Sequence, residues 1–363
     1  MTTDELSILK IETEKNIARY NNLQLARKVQ LNSAYGALGN AWFRFYDTRL
    51  AEGITMSGQL AIRWIEKHVN GFMNRTLKTN NADYVIAVDT DSIYLILDKI
   101  VQQVIPDVSD TARVIKFMDN LCQKELLPFI SKSYDDLASY VNAYKQSMIM
   151  KREVLADKVI WTSKKRYIVN VWNNEGVALK EAKMKIMGLE MIKSSSPEIC
   201  RAKMKEAVKL IISGTEDDLI TYINKFQKDF KNLPPEDLAF PRGVNGIIKY
   251  GDPITGMPIS RTPMHTRGSL IYNHIIKTRN LDKKYQLIHE GDKIKFINMK
   301  MPNPFNSNVM AFPLRSPPEL ELEKYIDYDM QFNKTFLDPL KIITEAIKWK
   351  TEKVVNTIDS FFT

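Results

Sequence analysis

Only two cysteines, Cys122 and Cys200, occur in the 363 residues. They are too few for a disulfide framework or a cysteine-rich zinc site, and they fit a reducing cytoplasm. No apolar run approaches the roughly 18–20 residues that a membrane span needs, which argues against a transmembrane role. The N-terminus, Met1-Thr2-Thr3-Asp4-Glu5, lacks the basic and apolar regions of a secretory signal. Neither an internal repeat nor a low-complexity tract is present, so disorder is expected only at the termini.

What is present describes a globular chain with a basic bias. A hydrophobic fraction of 44% with 26% charged residues is enough to bury a real core. The length suggests two or three structural units. Lysine and arginine outnumber aspartate and glutamate by 52 to 43, a net charge of +9. That excess favours a polyanionic partner such as nucleic acid, although composition by itself does not decide the function.

The first 40 residues contain no proline and space Ile8, Ile11, Ile17, Leu23, Leu25 and Leu31 as a helix, with Gly36 and Gly39 bracketing a break. A second long helix is expected from about Leu50 to Leu77. Two short strand-like runs follow, Tyr84 to Val88 and Ile93 to Leu97, joined by Asp89-Thr90-Asp91-Ser92 as a tight hairpin. Helical patterns return between Asp110 and Ser147, and a strand is expected over Trp161 to Val171 with Lys164-Lys165-Arg166 inside it. Ser194-Ser195-Ser196-Pro197-Glu198 reads as a serine-capped helix start with proline at the first helical position. The helix it starts ends at Gly214, and Thr215-Glu216-Asp217-Asp218 caps the next. From about Asn232 to Pro318 the chain is proline-rich and irregular, with short strands near Lys293 to Met299. A final helical region is expected from about Glu319 to Val355.

Three groups of residues carry chemistry. The carboxylates of Asp89 and Asp91, two positions apart in a tight turn, can approach one hard divalent cation. Holding like charges that close is costly without a cation between them. The plain alternative is a solvated acidic turn; an EF-hand is disfavoured because its glycine and terminal glutamate are missing. In the second group, Lys28, Asn32 and Tyr35 fall on one stripe of a helix. There the lysine can meet triphosphate oxygens, the tyrosine offers a flat surface for a base or sugar, and Gly36 permits close approach. A solvated lysine on an amphipathic helix is the alternative. The third is Lys164-Lys165-Arg166-Tyr167. If it is strand, Lys165 and Tyr167 share a face suited to a nucleic-acid backbone or minor groove. Further basic runs, Lys183, Lys185 and Lys193 and then Arg261, His265 and Arg267, either line a phosphate track or are solvated surface.

These groups occur together and in order. Lys28-x-x-x-Asn32-Ser33-x-Tyr35-Gly36, then Asp89-Thr90-Asp91-Ser92, then Lys165-Arg166-Tyr167 resembles the family B (alpha-type) DNA polymerases. Tyr35-Gly36-Ala37-Leu38-Gly39-Asn40, Lys185-Ile186-Met187-Gly188-Leu189-Glu190 and Asn303-Pro304-Phe305 narrow it to the T-even-type bacteriophage replicative polymerases. The resemblance implies an α+β fold: part of the fingers helices over 1–40, an antiparallel-sheet palm with helices on one face over 41–190, a mainly helical thumb over 191–350, and a tail over 351–363. It assigns Lys28, Asn32, Tyr35, Gly36 and Thr90 to the nucleotide site. Asp91 would be the principal ligand of two Mg²⁺ ions (Mn²⁺ a possible substitute), Asp89 a second, and Glu153 a carboxylate near the metals. Lys165, Tyr167, Lys193 and Arg267 would follow primer–template DNA. Ile358, Phe361 and Phe362 in the tail resemble a sliding-clamp hook. The implied location is the cytoplasm of an infected bacterial host.

Two departures qualify the resemblance. Val88 stands where the family usually has glycine, for which a small adjustment of the hairpin is expected. The Asp-x-x-Ser-Leu-Tyr-Pro-type segment carrying the family's other essential carboxylate is missing, as are the 3′–5′ exonuclease motifs and the partner fingers helix. The expectation is therefore a split polymerase, or a truncated piece, whose N-terminal half supplies the second metal carboxylate and covers Ile8, Ile11 and Ile17. A non-catalytic, clamp-tethered DNA-binding module is the alternative. A metal-dependent nuclease built on Asp89, Asp91 and Glu153 is weaker, lacking the histidine common in nucleases.

Overall fold

In a computed structural model, which describes residues 2–105, 107–108 and 110–353, the chain divides into two units, Met1–Glu153 and Val154–Thr363. With 53% of residues helical beside small antiparallel sheets, the fold is α+β as expected. The division at Glu153 falls inside the span expected for a palm. Ile358, Phe361 and Phe362 lie outside the described residues.

The first unit opens with α1, Thr3–Leu38. Its N-terminus is a capping box, in which the Thr2 hydroxyl accepts from the Glu5 amide and the Glu5 carboxylate accepts from the Thr2 amide. At 1.5 Å per residue the helix is about 54 Å long, yet none of its 36 residues is buried. It runs through Gly36 and ends at Leu38 with Gly39 as its cap, so the chain breaks between the two glycines as expected. Gly36 lacks a side chain but keeps its amide, so the hydrogen-bond ladder passes through it.

Helix α2, Thr48–Leu77, begins at Asp47, whose carboxylate accepts from the Arg49 amide. One stripe of α2, Ala61, Ile62, Ile65, Val69 and Met73, is buried. It packs against the later helix α5 (Leu127–Tyr140), and the Trp64 indole donates to the Ser133 carbonyl at 2.9 Å while Phe72 and Phe129 stack at 4.5 Å. Between them lie β1 (Val85–Asp89), β2 (Ser92–Leu95), α3 (Asp98–Val104) and α4 (Thr111–Leu121). A π-helical turn, Cys122–Leu126, joins α4 to α5 (Leu127–Tyr140). Helix therefore ends at Tyr140 rather than near Ser147. Strands β1 and β2 form a two-stranded sheet of their own.

The second unit contains two three-stranded antiparallel sheets. In the first, β3 (Val154–Ser163) pairs with β4 (Arg166–Asn174), which pairs with β5 (Val177–Met187). Lys164 and Lys165 thus form the two-residue turn of a hairpin, Ser163 opposite Arg166 and Lys165 at φ 63. The expected uninterrupted strand through Lys164-Lys165-Arg166 is incorrect. Side-chain alternation does not run through a turn, so Lys165 and Tyr167 are not consecutive members of one strand face.

Helix α6 (Glu198–Ser213) starts one residue later than expected, with Pro197 at its cap and no serine hydrogen bond there. Helix α7 (Glu216–Phe230) has the expected Thr215 cap, completed by Asp218. The stretch expected to be irregular holds two single helical turns, α8 (Pro235–Leu238) and α9 (Ile247–Tyr250), and the long α10 (Met264–Thr278). It also supplies β6 (Phe240–Gly243), β7 (Lys293–Asn298) and β8 (Val309–Phe312) of the second sheet. The last helical region opens with two 3₁₀ turns, Pro318–Leu320 and Leu322–Lys324, and continues from Tyr328 as α11 (Tyr328–Phe332), a π turn, and α12 (Asp338–Ala346), ending at Ala346 rather than near Val355. Phe226, Phe230, Phe332 and Phe336 meet edge-on in the centre of this unit's core.

Candidate active site

The acidic hairpin is held from behind by two asparagines of α2. The Asn70 side-chain oxygen accepts from the Tyr84 and Val85 amides at 2.8 and 3.0 Å, while its amide donates to Asp83. Asn74 accepts from the Ala82 amide and donates to the Ala82 carbonyl at 2.8 and 2.7 Å. Backbone groups that would otherwise lie unpaired at the start of β1 are thereby satisfied. The hairpin closes on itself at the other end. The Asp91 amide donates to the Asp89 carbonyl at 2.7 Å, with Thr90 at φ 59. The Thr90 hydroxyl donates to the Asp89 carboxylate at 3.0 Å, and the Ser92 hydroxyl to the Asp89 carbonyl. Asp89 is half-buried and Asp91 exposed at the tip.

Asp91 borders a cavity of about 150 Å³, with Thr90 beside it, Gly58, Ala61 and Ile62 from α2, Tyr134 from α5, and Met148 to Met150 across. Tyr134 is buried, and that burial, followed by the negative charge of Asp91, raises its pKa above the ordinary phenol value. Nothing in the amino-acid pattern pointed to Asn70, Asn74, Gly58 or Tyr134. Their partners are backbone atoms and groups distant in sequence.

Among the described residues no group of three or more His, Cys, Asp or Glu side chains is placed to hold a metal ion. Asp89 and Asp91 share one hairpin, and Glu153 is not gathered with them into a closed ligand set. Glu153 is exposed, next to Arg152, whose buried guanidinium donates to Asp119 of α4 at 2.6 Å. A hard carboxylate on an open cavity, Asp91, with Asp89 two residues before it in the same hairpin, suits Mg²⁺, which keeps waters and takes few protein ligands.

On α1, Lys28 and Asn32 line an open recess with Tyr20, Gln24 and Arg27. Tyr35 follows one turn later, its hydroxyl 2.9 Å from that of Thr55 on α2. A Cβ placed on Gly36 would meet nothing within 4 Å. That face of the helix is open.

The remaining site residues lie in the second unit. Lys165 is exposed at the β3–β4 turn. Tyr167, 8% exposed, lies against Trp161 across the ladder at 6.4 Å between ring centres. Lys193 pairs with Glu190 at 3.1 Å, and Glu190 also accepts from Arg166 at 2.5 Å. Arg267 on α10 donates to the Asn308 side chain at 2.7 Å. His265 is pushed below its ordinary pKa by burial and by the charge of Arg242, which leaves it neutral at pH 7.

Residues 6–242 match the model of the family described as DNA polymerase family B. The chain belongs to DNA polymerase family B. It is 36% identical over 353 residues to a DNA-directed DNA polymerase of Escherichia phage RB69, covering 93% of this chain and 38% of that protein. To the DNA-directed DNA polymerase of Enterobacteria phage T4 it is 32% identical over 358 residues, covering 95% and 39%. A DNA polymerase alpha catalytic subunit of Leishmania donovani is 21% identical over 295 residues, 80% of this chain and 19% of that protein. The chain thus spans less than two-fifths of the length of the two phage relatives. No helix among the described residues is long and apolar enough to cross a membrane.

Proposed function

We propose that these residues form the C-terminal part of a phage-type DNA-directed DNA polymerase, catalysing template-directed deoxynucleotidyl transfer in an infected bacterial cell. One observation carries the reading: Asp91 stands exposed at the tip of a rigid hairpin, beside Asp89 and an open cavity. In this reading residues 1–40 belong to the fingers, 41–190 to the palm and 191–350 to the thumb.

Asp91 and Asp89 would hold Mg²⁺, or Mn²⁺ in its place. Two such ions, when bound, supply Lewis-acid activation of the primer 3′-hydroxyl and neutralise charge on the leaving pyrophosphate. Lys28 meets the triphosphate as a point charge, Asn32 and Tyr35 shape the nucleotide pocket, and Gly36 keeps the approach clear. Thr90 holds the Asp89 carboxylate in place from within the hairpin. Glu153 would lend a further carboxylate without being a constant ligand. Lys165, Tyr167, Lys193 and Arg267 follow the primer–template duplex. Ile358, Phe361 and Phe362 hook a sliding clamp, which raises the local concentration on DNA.

The finer part of the proposal is that the site is shared. A second essential carboxylate and a helix antiparallel to α1 come from a polypeptide segment other than residues 1–363, the N-terminal polymerase half. Three features support this. Among the described residues no third acidic, histidine or cysteine side chain gathers with Asp89 and Asp91. β1 and β2 form a sheet of two strands only, fewer than a stable sheet ordinarily has. Ile8, Ile11 and Ile17 are 66%, 53% and 55% exposed along a helix with no buried residue. Burying side chains of this kind stabilises by about 1.5–3 kcal/mol each.

Primer extension tests the proposal. The chain alone should extend a primer little or not at all, and mixing with the N-terminal half should restore synthesis. Asp91→Asn should lose at least about a thousandfold of the restored rate while still assembling. Robust synthesis by the chain alone would overturn the shared site. Full activity of Asp91→Asn in the mixture would overturn the assignment of the hairpin.

A further inference from the structure

At the end of β5 the chain turns back against the β3–β4 hairpin. Gly188 makes this corner at φ 68, and a Cβ there would lie 2.4 Å from the Lys165 carbonyl oxygen and 3.1 Å from Arg166 Cγ. The backbone of the corner therefore presses directly on the turn that presents Lys165. Two residues later, the Glu190 carboxylate divides its oxygens between two cations. Oε2 accepts from the Arg166 guanidinium at 2.5 Å, and Oε1 accepts from Lys193 Nζ at 3.1 Å. The Glu190 side chain is about one-quarter exposed, so the pair is screened less than a surface contact. Partial burial works to raise its pKa, but the Lys193 hydrogen bond and the charges of Arg166 and Lys193 outweigh it and hold the carboxyl below the ordinary glutamate range.

We propose that Glu190 is a positioning residue for duplex recognition: by anchoring Arg166 and Lys193 it fixes the Lys164-Lys165 turn against the minor-groove edge of the primer–template. A non-glycine residue in the left-handed region persists only where its surroundings over-determine it. Lys165 at φ 63 is such a residue, and Gly188, Arg166 and Glu190 are its surroundings. The sign of the charge sharpens the case. A carboxylate beside a DNA-facing lysine turn opposes a polyanion, so by Coulomb interaction alone removing it tightens binding. A carboxylate that sets the turn has the opposite effect when removed.

The inference rests on the proposed polymerase reading, and the experiment separates the two. Fluorescence anisotropy with the full chain measures affinity for two primer–template duplexes. One is unmodified, and the other carries 3-deazaadenine near the primer end, lacking a minor-groove acceptor. The wild-type chain should bind the modified duplex about 3- to 10-fold more weakly, the size of one hydrogen bond. Glu190→Gln should bind the unmodified duplex about 3- to 10-fold more weakly than wild type and no longer distinguish the two. Arg166→Lys, which leaves the net charge unchanged, should lose the distinction in the same way, so the test does not depend on one variant folding. Unchanged or tighter binding by Glu190→Gln with the distinction retained overturns the positioning role, as does retention by Arg166→Lys. Failure of the wild-type chain to bind the duplex, or to sense the missing acceptor, overturns the placement of Lys165 on DNA and the inference with it.

Discussion

Gly188→Ala and Gly256→Ala form a matched pair that separates backbone preference from steric pressure at the β3–β4 turn. Both glycines occupy the left-handed region, at φ 68 and φ 69. An L-residue there costs about 1–2 kcal/mol, and the smaller conformational freedom of the unfolded alanine chain returns about 0.4–1 kcal/mol. Gly256→Ala should therefore destabilise by about 1 kcal/mol or less, because nothing lies within 4 Å of its added Cβ. At Gly188 the same Cβ sits 2.4 Å from the Lys165 carbonyl oxygen, where real contacts stay beyond 3.0 Å. The obstacle is backbone, in a turn whose own φ is already unusual, so it cannot rotate aside as a side chain would. Overpacking of that kind adds about 1–3 kcal/mol, for a total near 1–4 kcal/mol. Urea unfolding followed by tryptophan fluorescence and by circular dichroism would give both values. Gly188→Ala should also weaken duplex binding, while Gly256→Ala leaves it alone. Equal stabilities within about 0.5 kcal/mol, or equal DNA affinities, would refute the reasoning.

Three other perturbations have definite outcomes. Asn70→Ala leaves the Tyr84 and Val85 amides without their acceptor; at about 1–3 kcal/mol per orphaned group, the first unit should lose about 2–6 kcal/mol, read by hydrogen exchange at those amides. Gly36→Ala should stabilise α1 by about 0.5–1 kcal/mol, since the added methyl meets nothing, yet it should raise the KM for nucleotide in the reconstituted polymerase. Glu319 is held at about 2, below its ordinary 4.5, first by the hydrogen bond from Lys284 and then by that from Tyr285. Its folded pKa lies below the unfolded one, so its contribution is fully present above about pH 4.5 and is lost as pH falls towards 2. Carboxyl NMR titration against Glu319→Gln should show that midpoint, and a midpoint near 4.5 would contradict the network.

Elements carrying their own local signals were legible from sequence. The proline-free α1, the Thr215 box and the two β-rich runs around Asp89-Thr90-Asp91 each announce themselves within a few residues. The β3–β4 turn was not legible, because Lys164-Lys165 contains none of the glycine, asparagine or aspartate that mark such turns. Helix α10 was obscured by Pro258 and Pro263 before it and by Gly268 within it. In the fold Gly268 has a packing reason, since a Cβ there would come within 2.9 Å of the Ala311 amide nitrogen on β8. The paired aspartates and the Lys28, Asn32, Tyr35 stripe could be read from spacing. Asn70, Asn74, Tyr134 and Glu190 could not, because what each one touches is set by tertiary folding.

Three of those missed residues, Asn70, Asn74 and Glu190, share one physical task. A short hairpin presenting charge to a ligand is intrinsically weak: it has few backbone hydrogen bonds, and its tip residues repel or adopt uncommon φ values. In the first unit Asn70 and Asn74 supply the missing backbone partners behind Asp89 and Asp91. In the second, Gly188 and Glu190 brace the turn at Lys165. The bracing groups are neutral amides behind the acidic tip and a carboxylate beside the basic one, so neither brace adds like charge to what it holds. Removing a brace should therefore leave the charge available and spoil its position. That predicts losses in affinity and discrimination out of proportion to the change in net charge, which charge-preserving substitutions such as Arg166→Lys are suited to reveal.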